Sequence, residues 1–324
     1  MKTRQYNLST MLLGGLVTLA LNGLLCSCNS NDDAAEISGG IIIPDDDDEE
    51  CCNEGEELRT RIFLNALTEL PELSSVINEK YTLKAYSANG HLYTGFNKLY
   101  FAVEKSNEKH VKDFSVGNLA PLMTMGSMMG MQHSTPTTSK LDKVELVQVY
   151  EGWIAFLMPS DAEHQNTWEL SFDYAVKGEE GHVENRDIVV EPQQAGWSDL
   201  KAFTYADNTF YLVLDKSSQL ATGRNDIKAY IAKQTADKKQ PYTEAAELFT
   251  IDIDPRMPDM GNHTSPGNEP LTLQEDGSYL GTINLTMTGL WRIHLTVHDA
   301  EGNIVAGGDD QNDGYSSLYW DVTI

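Results

Sequence analysis

Arg256-Met-Pro-Asp-Met-Gly-Asn-His-Thr-Ser-Pro266 has an earlier and looser copy in the same chain, Pro121-Leu-Met-Thr-Met-Gly-Ser-Met-Met-Gly-Met-Gln-His-Ser-Thr-Pro136. Both place methionines a few residues before one histidine, enclose Met-Gly, and close with a small hydroxyl pair on proline. The flanking blocks recur as well. Leu92-Tyr-Thr-Gly-Phe-Asn-Lys-Leu99 matches Leu220-Ala-Thr-Gly-Arg-Asn-Asp-Ile227, and Tyr150-Glu-Gly-Trp-Ile-Ala-Phe-Leu-Met158 matches Tyr279-Leu-Gly-Thr-Ile-Asn-Leu-Thr-Met287. Trp168-Glu-Leu-Ser-Phe172 then matches Trp291-Arg-Ile-His-Leu295. In each half the Met/His stretch lies between the first and second block, so one unit of strand, loop, strand, strand is built twice.

From Tyr81 onward, short runs of alternating apolar and polar residues are separated by turn residues. That pattern predicts an all-β chain of two tandem β-sandwiches. Asn89-Gly90, between Tyr81–Ser87 and Leu92–Tyr93, is a hairpin signal. Arg61 to Asn78 has helix-compatible apolar spacing (Ile62, Leu64, Leu67, Leu70) broken by Pro71, a short lead-in. The Glu191-Pro-Gln-Gln run and Gly196-Trp197 mark a boundary near residue 195. The expected units are thus residues 61–195 and 196–324.

At 324 residues and 40% hydrophobic content there is room for two domains with cores of their own. The formal charge of -26 argues against nucleic acid as a partner, whose phosphates demand a basic face. Much of the acidity is local, in Asp32, Asp33 and Glu36, then Asp45 to Glu50, then Glu54, Glu56 and Glu57. Such a block self-repels, so residues 28–60 read as an extended, disordered tether. Adjacent Cys51 and Cys52 within it would make a strained disulfide with each other; an intermolecular bridge or two free thiols fit better. The two repeats contain no cysteine.

Residues 1–27 read as a targeting segment. Lys2, Arg4 and Gln5 precede an apolar run from Met11 to Leu25 that is too short for a spanning helix. It ends Leu25-Cys-Ser-Cys28, which resembles the lipobox of bacterial lipoproteins, with leucine three positions before the modified cysteine. Cys28 fits that pattern and Cys26 does not. The resemblance implies cleavage before Cys28, its acylation, and a membrane anchor at the mature N-terminus. The acidic run resembles tethers that route some outer-membrane lipoproteins to the cell surface, so the expected location is the outer membrane, on its periplasmic face or outside.

Nine methionines follow the leader, and seven of them fall in the two Met/His stretches. Methionine used as core filler would be scattered along the strands. A thioether is a soft, neutral donor suited to Cu(I), and imidazole is a good second donor. Zinc would ask for thiolate, imidazole or carboxylate, and hard cations for oxygen. The plain alternative is an apolar contact loop. The run Met-Pro-Asp-Met-Gly-x-His, then Tyr279-x-Gly-x-Ile, then Met287-Thr-Gly-Leu-Trp291-Arg-Ile resembles the YtkA-like domain, related to FixH-type periplasmic proteins. The resemblance covers residues 205–299 well and the first half in degraded form. It implies an immunoglobulin-like sandwich and an association with copper handling. Carried over, the second-half ligands would be Met257, Met260 and His263, with Met287 as a fourth. The first-half match gives Met129 and His133, with one residue inserted between Gly130 and His133. Met123, Met125, Met128 and Met131 compete for the remaining places. Met158 corresponds to Met287, and each ends an apolar strand as core residues do.

Other signals carry less. His294 and His298 lie about 13 Å apart along one strand, too far to share an ion, and read as exposed. Trp168 and Trp291 fall on the apolar phase and read as core. Asp309-Asp-Gln-Asn-Asp313 has calcium-loop chemistry without the closing Glu, hence a solvated turn. Gly-x-Ser-x-Gly, His-Glu-x-x-His, a phosphate loop and CxxC are all absent, and no nucleophile and base pair points to an enzyme. The reading is a membrane-anchored extracytoplasmic protein whose Met/His loops hold Cu(I) for storage, transfer or sensing, with a copper-exchange protein as partner. Its rival is a structural or adhesive surface module that binds no metal.

Overall fold

Alternation along the strands sets the layers. In Leu290–His298 the residues Trp291, Ile293, Leu295 and Val297 are buried and those between them are not. Phe114–Met125 does the same with Phe114, Val116, Leu119, Pro121 and Met123. A period of two places one face against a core and the other toward solvent. The computed structural model describes residues 50–106, 109–193, 199–238, 240–308, 316 and 318–324. All of these belong to one compact unit, Asp48–Ile324. The signal segment, Cys28, most of the acidic stretch, Gly196-Trp197 and Asp309–Asp313 lie outside them. No described helix is long and apolar enough to cross a membrane.

Among the described residues the chain is all-β apart from the helix Glu50–Asn65 and three short 3-10 turns. Two cores form. The first, from Leu70 to Val190, is enclosed by two sheets whose main strands are Tyr81–Ser87, Gly95–Lys105 and Tyr150–Phe156 on one side. Phe114–Met125, Asn166–Val176 and Glu179–Ile188 lie on the other. The second core, from Phe203 to Val322, is wrapped by one continuous 11-stranded sheet. Trp168 and Trp291 are each 0% exposed, core anchors as expected. The Thr-Gly-x-Asn turn is built identically in both halves. Asn97 accepts the Tyr93 N–H at 2.7 Å and donates to the Tyr93 and Gly95 carbonyls. Asn225 accepts the Ala221 N–H at 2.9 Å and donates to the Ala221 and Gly223 carbonyls.

Three expectations need correction. The helix Glu50–Asn65 begins inside the stretch read as a disordered tether and ends before the apolar spacing that suggested it does. Tertiary contacts hold it: Glu56 pairs with Lys112 at 2.8 Å, and Glu57 accepts the His110 N–H at 3.0 Å. Lys112, ahead of all other influences, holds the Glu56 carboxyl below its usual range. Second, Asn89-Gly90 is a turn, but Tyr81–Ser87 pairs with Gly95–Lys105, while Leu92–Tyr93 pairs with Val190–Glu191 in parallel. Third, His294 and His298 are half-buried: His294 Nδ1 lies 2.7 Å from the Ser316 carbonyl and His298 Nε2 3.0 Å from Asp252.

The two halves are joined by an aromatic contact. Phe96 and Trp153 of the first stack on Tyr230 of the second at centroid distances of 6.1 and 4.7 Å. Below it the buried Asp199 carboxylate accepts the Phe96 N–H at 3.0 Å and pairs with Lys216 at 2.8 Å. Such desolvated ionic contacts, once formed, are strongly destabilising to break.

Candidate metal centres

Each Met/His stretch is a hairpin of one backbone design. In the second half, Met257 ends a strand and precedes the 3-10 turn Pro258–Met260, and Gly261 takes the left-handed conformation. The Asn262 N–H then returns to the Met257 carbonyl at 3.0 Å. In the first half, Met125 precedes the turn Gly126–Met128, Met129 is left-handed, and the Gly130 N–H returns to the Met125 carbonyl at 3.0 Å. The hairpins therefore superpose without an insertion. Met125 stands for Met257, Met128 for Met260, and Met131 for His263. The sequence alignment, which laid Met129-Gly130 on Met260-Gly261, is off by one residue, because Met129 occupies the left-handed place that glycine fills in the second copy.

Register shows what these residues share. Met257 stands directly opposite His263, and directly opposed residues of an antiparallel pair put their Cβ atoms about 4.5–5.5 Å apart on one face. Met257 is 4% exposed and its methyl group lies against Gly289, whereas Met260 at the turn is 57% exposed. Met287 is half-buried against the second core, and its carbonyl accepts the Trp291 indole N–H at 2.9 Å. It packs as a core residue would. The His263 ring is exposed. Of the eight histidines it is the one whose ring has no hydrogen-bond or ion-pair partner among the described residues.

In the first half the same face carries two rows. Met123 stands opposite His133, and Met125 opposite Met131. On its other side Met123 faces Trp168 across the sheet. The outward residues between them confirm the phase, since Gln132 Nε2 donates to Thr124 Oγ1 at 3.2 Å. Met123 is 0% exposed and belongs to the core. Met125 is half-buried against that core, and Met131 is 55% exposed. Met129 is wholly exposed and sits in the turn, outside the paired rows. Met158 repeats the Met287 arrangement, its carbonyl accepting the Trp168 indole N–H at 3.0 Å.

Sequence reasoning does not resolve the place of Met131. It was one of several competing methionines, and only strand pairing singles it out as the partner of Met125. Among the described residues no group of three or more His, Cys, Asp or Glu is placed to hold a metal ion.

No family model and no curated protein matches the chain. Among solved structures it is similar to a DUF4785 family protein from Legionella pneumophila subsp. pneumophila str. Philadelphia 1, at 11% identity and a TM-score of 0.22. That likeness covers 75% of this chain and 56% of the other, so the chain spans little more than half of that protein's length. The resemblance to YtkA-like domains rests on the residues alone.

Proposed function

We propose that this protein is an extracytoplasmic Cu(I)-binding lipoprotein, anchored through Cys28, with copper as its cargo for storage, transfer or sensing. One observation supports the reading above the rest. In both halves a methionine stands directly opposite a histidine across a two-strand ladder, Met257 with His263 and Met123 with His133. Thioether and imidazole on one face, with further methionines from the same hairpin, are the donors a soft d10 ion prefers. Thioethers stay unprotonated and form no disulfides, so they serve in an oxidising compartment. Met257, Met260 and His263 are the donors of the second half. An exposed, unpartnered imidazole beside an exposed thioether also gives an exchanging protein partner direct access.

Elemental analysis after loading under reductant tests this on two samples, wild type extracted from membranes and the Cys28→Ser variant from the soluble fraction. Both are expected to retain Cu(I) or Ag(I) against a Cu(I) chelator and to bind Zn²⁺ far more weakly. A Cys28→Ser protein that stays in membranes overturns the anchor. Loss of Cu(I) on gel filtration, or Zn²⁺ held as tightly, favours the adhesive module, in which exposed Met128, Met129, Met131 and Met260 meet another protein.

A further inference from the structure

The two hairpins hold their imidazoles differently. His133 Nδ1 lies 3.1 Å from the Ser134 carbonyl oxygen. A carbonyl only accepts, so Nδ1 carries the proton and donates, which leaves Nε2 as a bare lone pair. That nitrogen is buried and has no hydrogen-bond partner. A buried acceptor left unpaired costs about 1–3 kcal/mol. Water is a poor remedy, since an internal water needs two to four polar partners. The ladder face that His133 shares carries Met123, Met125 and Met131, and the ring packs edge-on against Trp168 at 5.5 Å. Histidines that ligate metals characteristically donate their other ring N–H to a carbonyl or carboxylate. The Ser134 carbonyl is also approached by the Tyr242 hydroxyl of the second half at 3.4 Å, which braces this strand from outside.

We infer that Met123, Met125, Met131 and His133 form a sunken Cu(I) retention site at the rim of the first core, while Met257, Met260 and His263 form an open exchange site. This rests on the copper reading. The donors of the first run from a fully buried thioether, through a buried imidazole nitrogen, to Met131 at the surface. A competing ligand must enter past Met131 to displace the ion. At the second, the row below Met257 and His263 holds no donor pair: Pro255 stands in place of Met123 and Ser265 in place of His133. The imidazole and Met260 face solvent, so incoming ligands reach the ion directly.

The test is release kinetics from the full chain loaded with two equivalents of Cu(I), on adding excess Cu(I) chelator. One equivalent is expected to leave at least about ten times faster than the other. His263→Ala should remove the fast phase alone. Met125→Leu with Met131→Leu, which conserves side-chain volume and so spares the fold, should remove the slow phase alone. Indole emission gives a second readout: slow-phase loading should quench it, and Trp168→Phe should abolish most of that quenching. A slow phase that survives the double leucine variant, or a single phase lost entirely with His263→Ala, overturns the inference while copper binding stands. A protein that takes up no Cu(I) defeats the copper reading itself.

Discussion

In the second half the strand Glu269–Leu273 pairs on both flanks, with Thr250–Met257 and with Tyr279–Leu285, and so stitches the whole half into one sheet. In the first half the corresponding place holds Asp142–Lys143 and a single bridge of Thr137 with Ile154, both on Tyr150–Phe156, and the described strands stay in separate sheets. The two sheets there are tied by the segment after Met131–His133, where the Ser134 hydroxyl donates to the Pro121 carbonyl at 2.7 Å and the Ala155 N–H to the Pro136 carbonyl at 2.8 Å. A repeat can thus keep its turn chemistry and its core while closing differently at one edge. The same divergence reaches the hairpins. The first carries two donor rows and the second carries one, because Pro255 and Ser265 stand where Met123 and His133 do. Buried Ser265 Oγ has no partner, just as His133 Nε2 has none. The halves share a backbone position and differ in the side chains that occupy it.

The bridging strand offers the strongest way to break this contrast. A methyl group at Gly281 would meet Glu269 O, Pro270 O and Leu271 N at 2.8, 2.9 and 3.0 Å, all of them backbone atoms of the bridge. The repeat counterpart, Gly152, would meet only the side chains of Leu141 and Thr138, at 2.9 Å. Backbone cannot step aside without breaking the ladder, whereas side chains can rotate. Gly281→Ala is therefore expected to destabilise the protein by about 3 kcal/mol, the upper end for overpacking, and Gly152→Ala by about 1 kcal/mol. Chemical denaturation measures both, and equal losses would mean that the bridge contributes no rigidity of its own.

Some of this was legible in the residues and some was not, for physical reasons. The Thr-Gly-x-Asn turns are local: one asparagine satisfies three backbone groups within four residues, so sequence similarity and structure coincide there. The tryptophans follow a period of two, which reads directly as burial. The hairpin alignment failed because Met-Gly was matched to Met-Gly, although the left-handed place can be taken by methionine at some strain. Met131 is singled out among the competing methionines only by cross-strand pairing, which no spacing displays. The helix Glu50–Asn65 was hidden for another reason. Its acidic face signals repulsion in isolation, and the partners that engage it, the Lys112 and Lys143 ammonium groups and the His110 ring, arrive from far along the chain.

Acid should separate the halves more gently. Asp276 lies in the turn between the bridging strand and Tyr279–Leu285. Burial works against its charge, but hydrogen bonds from Ser278 and the Lys228 ammonium at 2.9 Å hold its pKa down at about 2. A depressed carboxylate contributes stability above its unfolded pKa of about 4, and that contribution is lost as pH falls toward 2. The side chain is 47% exposed, so solvent screening limits the effect to about 1 kcal/mol or less. Melting temperatures between pH 4 and 2 should therefore fall less steeply for Asp276→Asn than for wild type. Parallel curves would show that this turn does not help to close the second sheet.

The smallest expected effect probes the hairpin backbone itself. Met129 sits at φ 60°, ψ 30°, and Gly261 at φ 63°, ψ 36°. For an L-residue with a side chain, that conformation costs about 1–2 kcal/mol, and Met129 recovers little of this through packing because it is fully exposed. Met129→Gly makes the first hairpin match the second at this place. The relief of strain is partly offset by the greater freedom of glycine in the unfolded chain, so stability should rise by no more than about 1 kcal/mol. Cu(I) stoichiometry should not change, because Met129 is fully exposed in the turn, outside the paired rows of Met123, Met125, Met131 and His133. If the variant instead loses one equivalent of Cu(I) while folding as well as wild type, then Met129 is a ligand. The first site would then be drawn outward to the turn, and the contrast between a sunken and an open site would no longer hold.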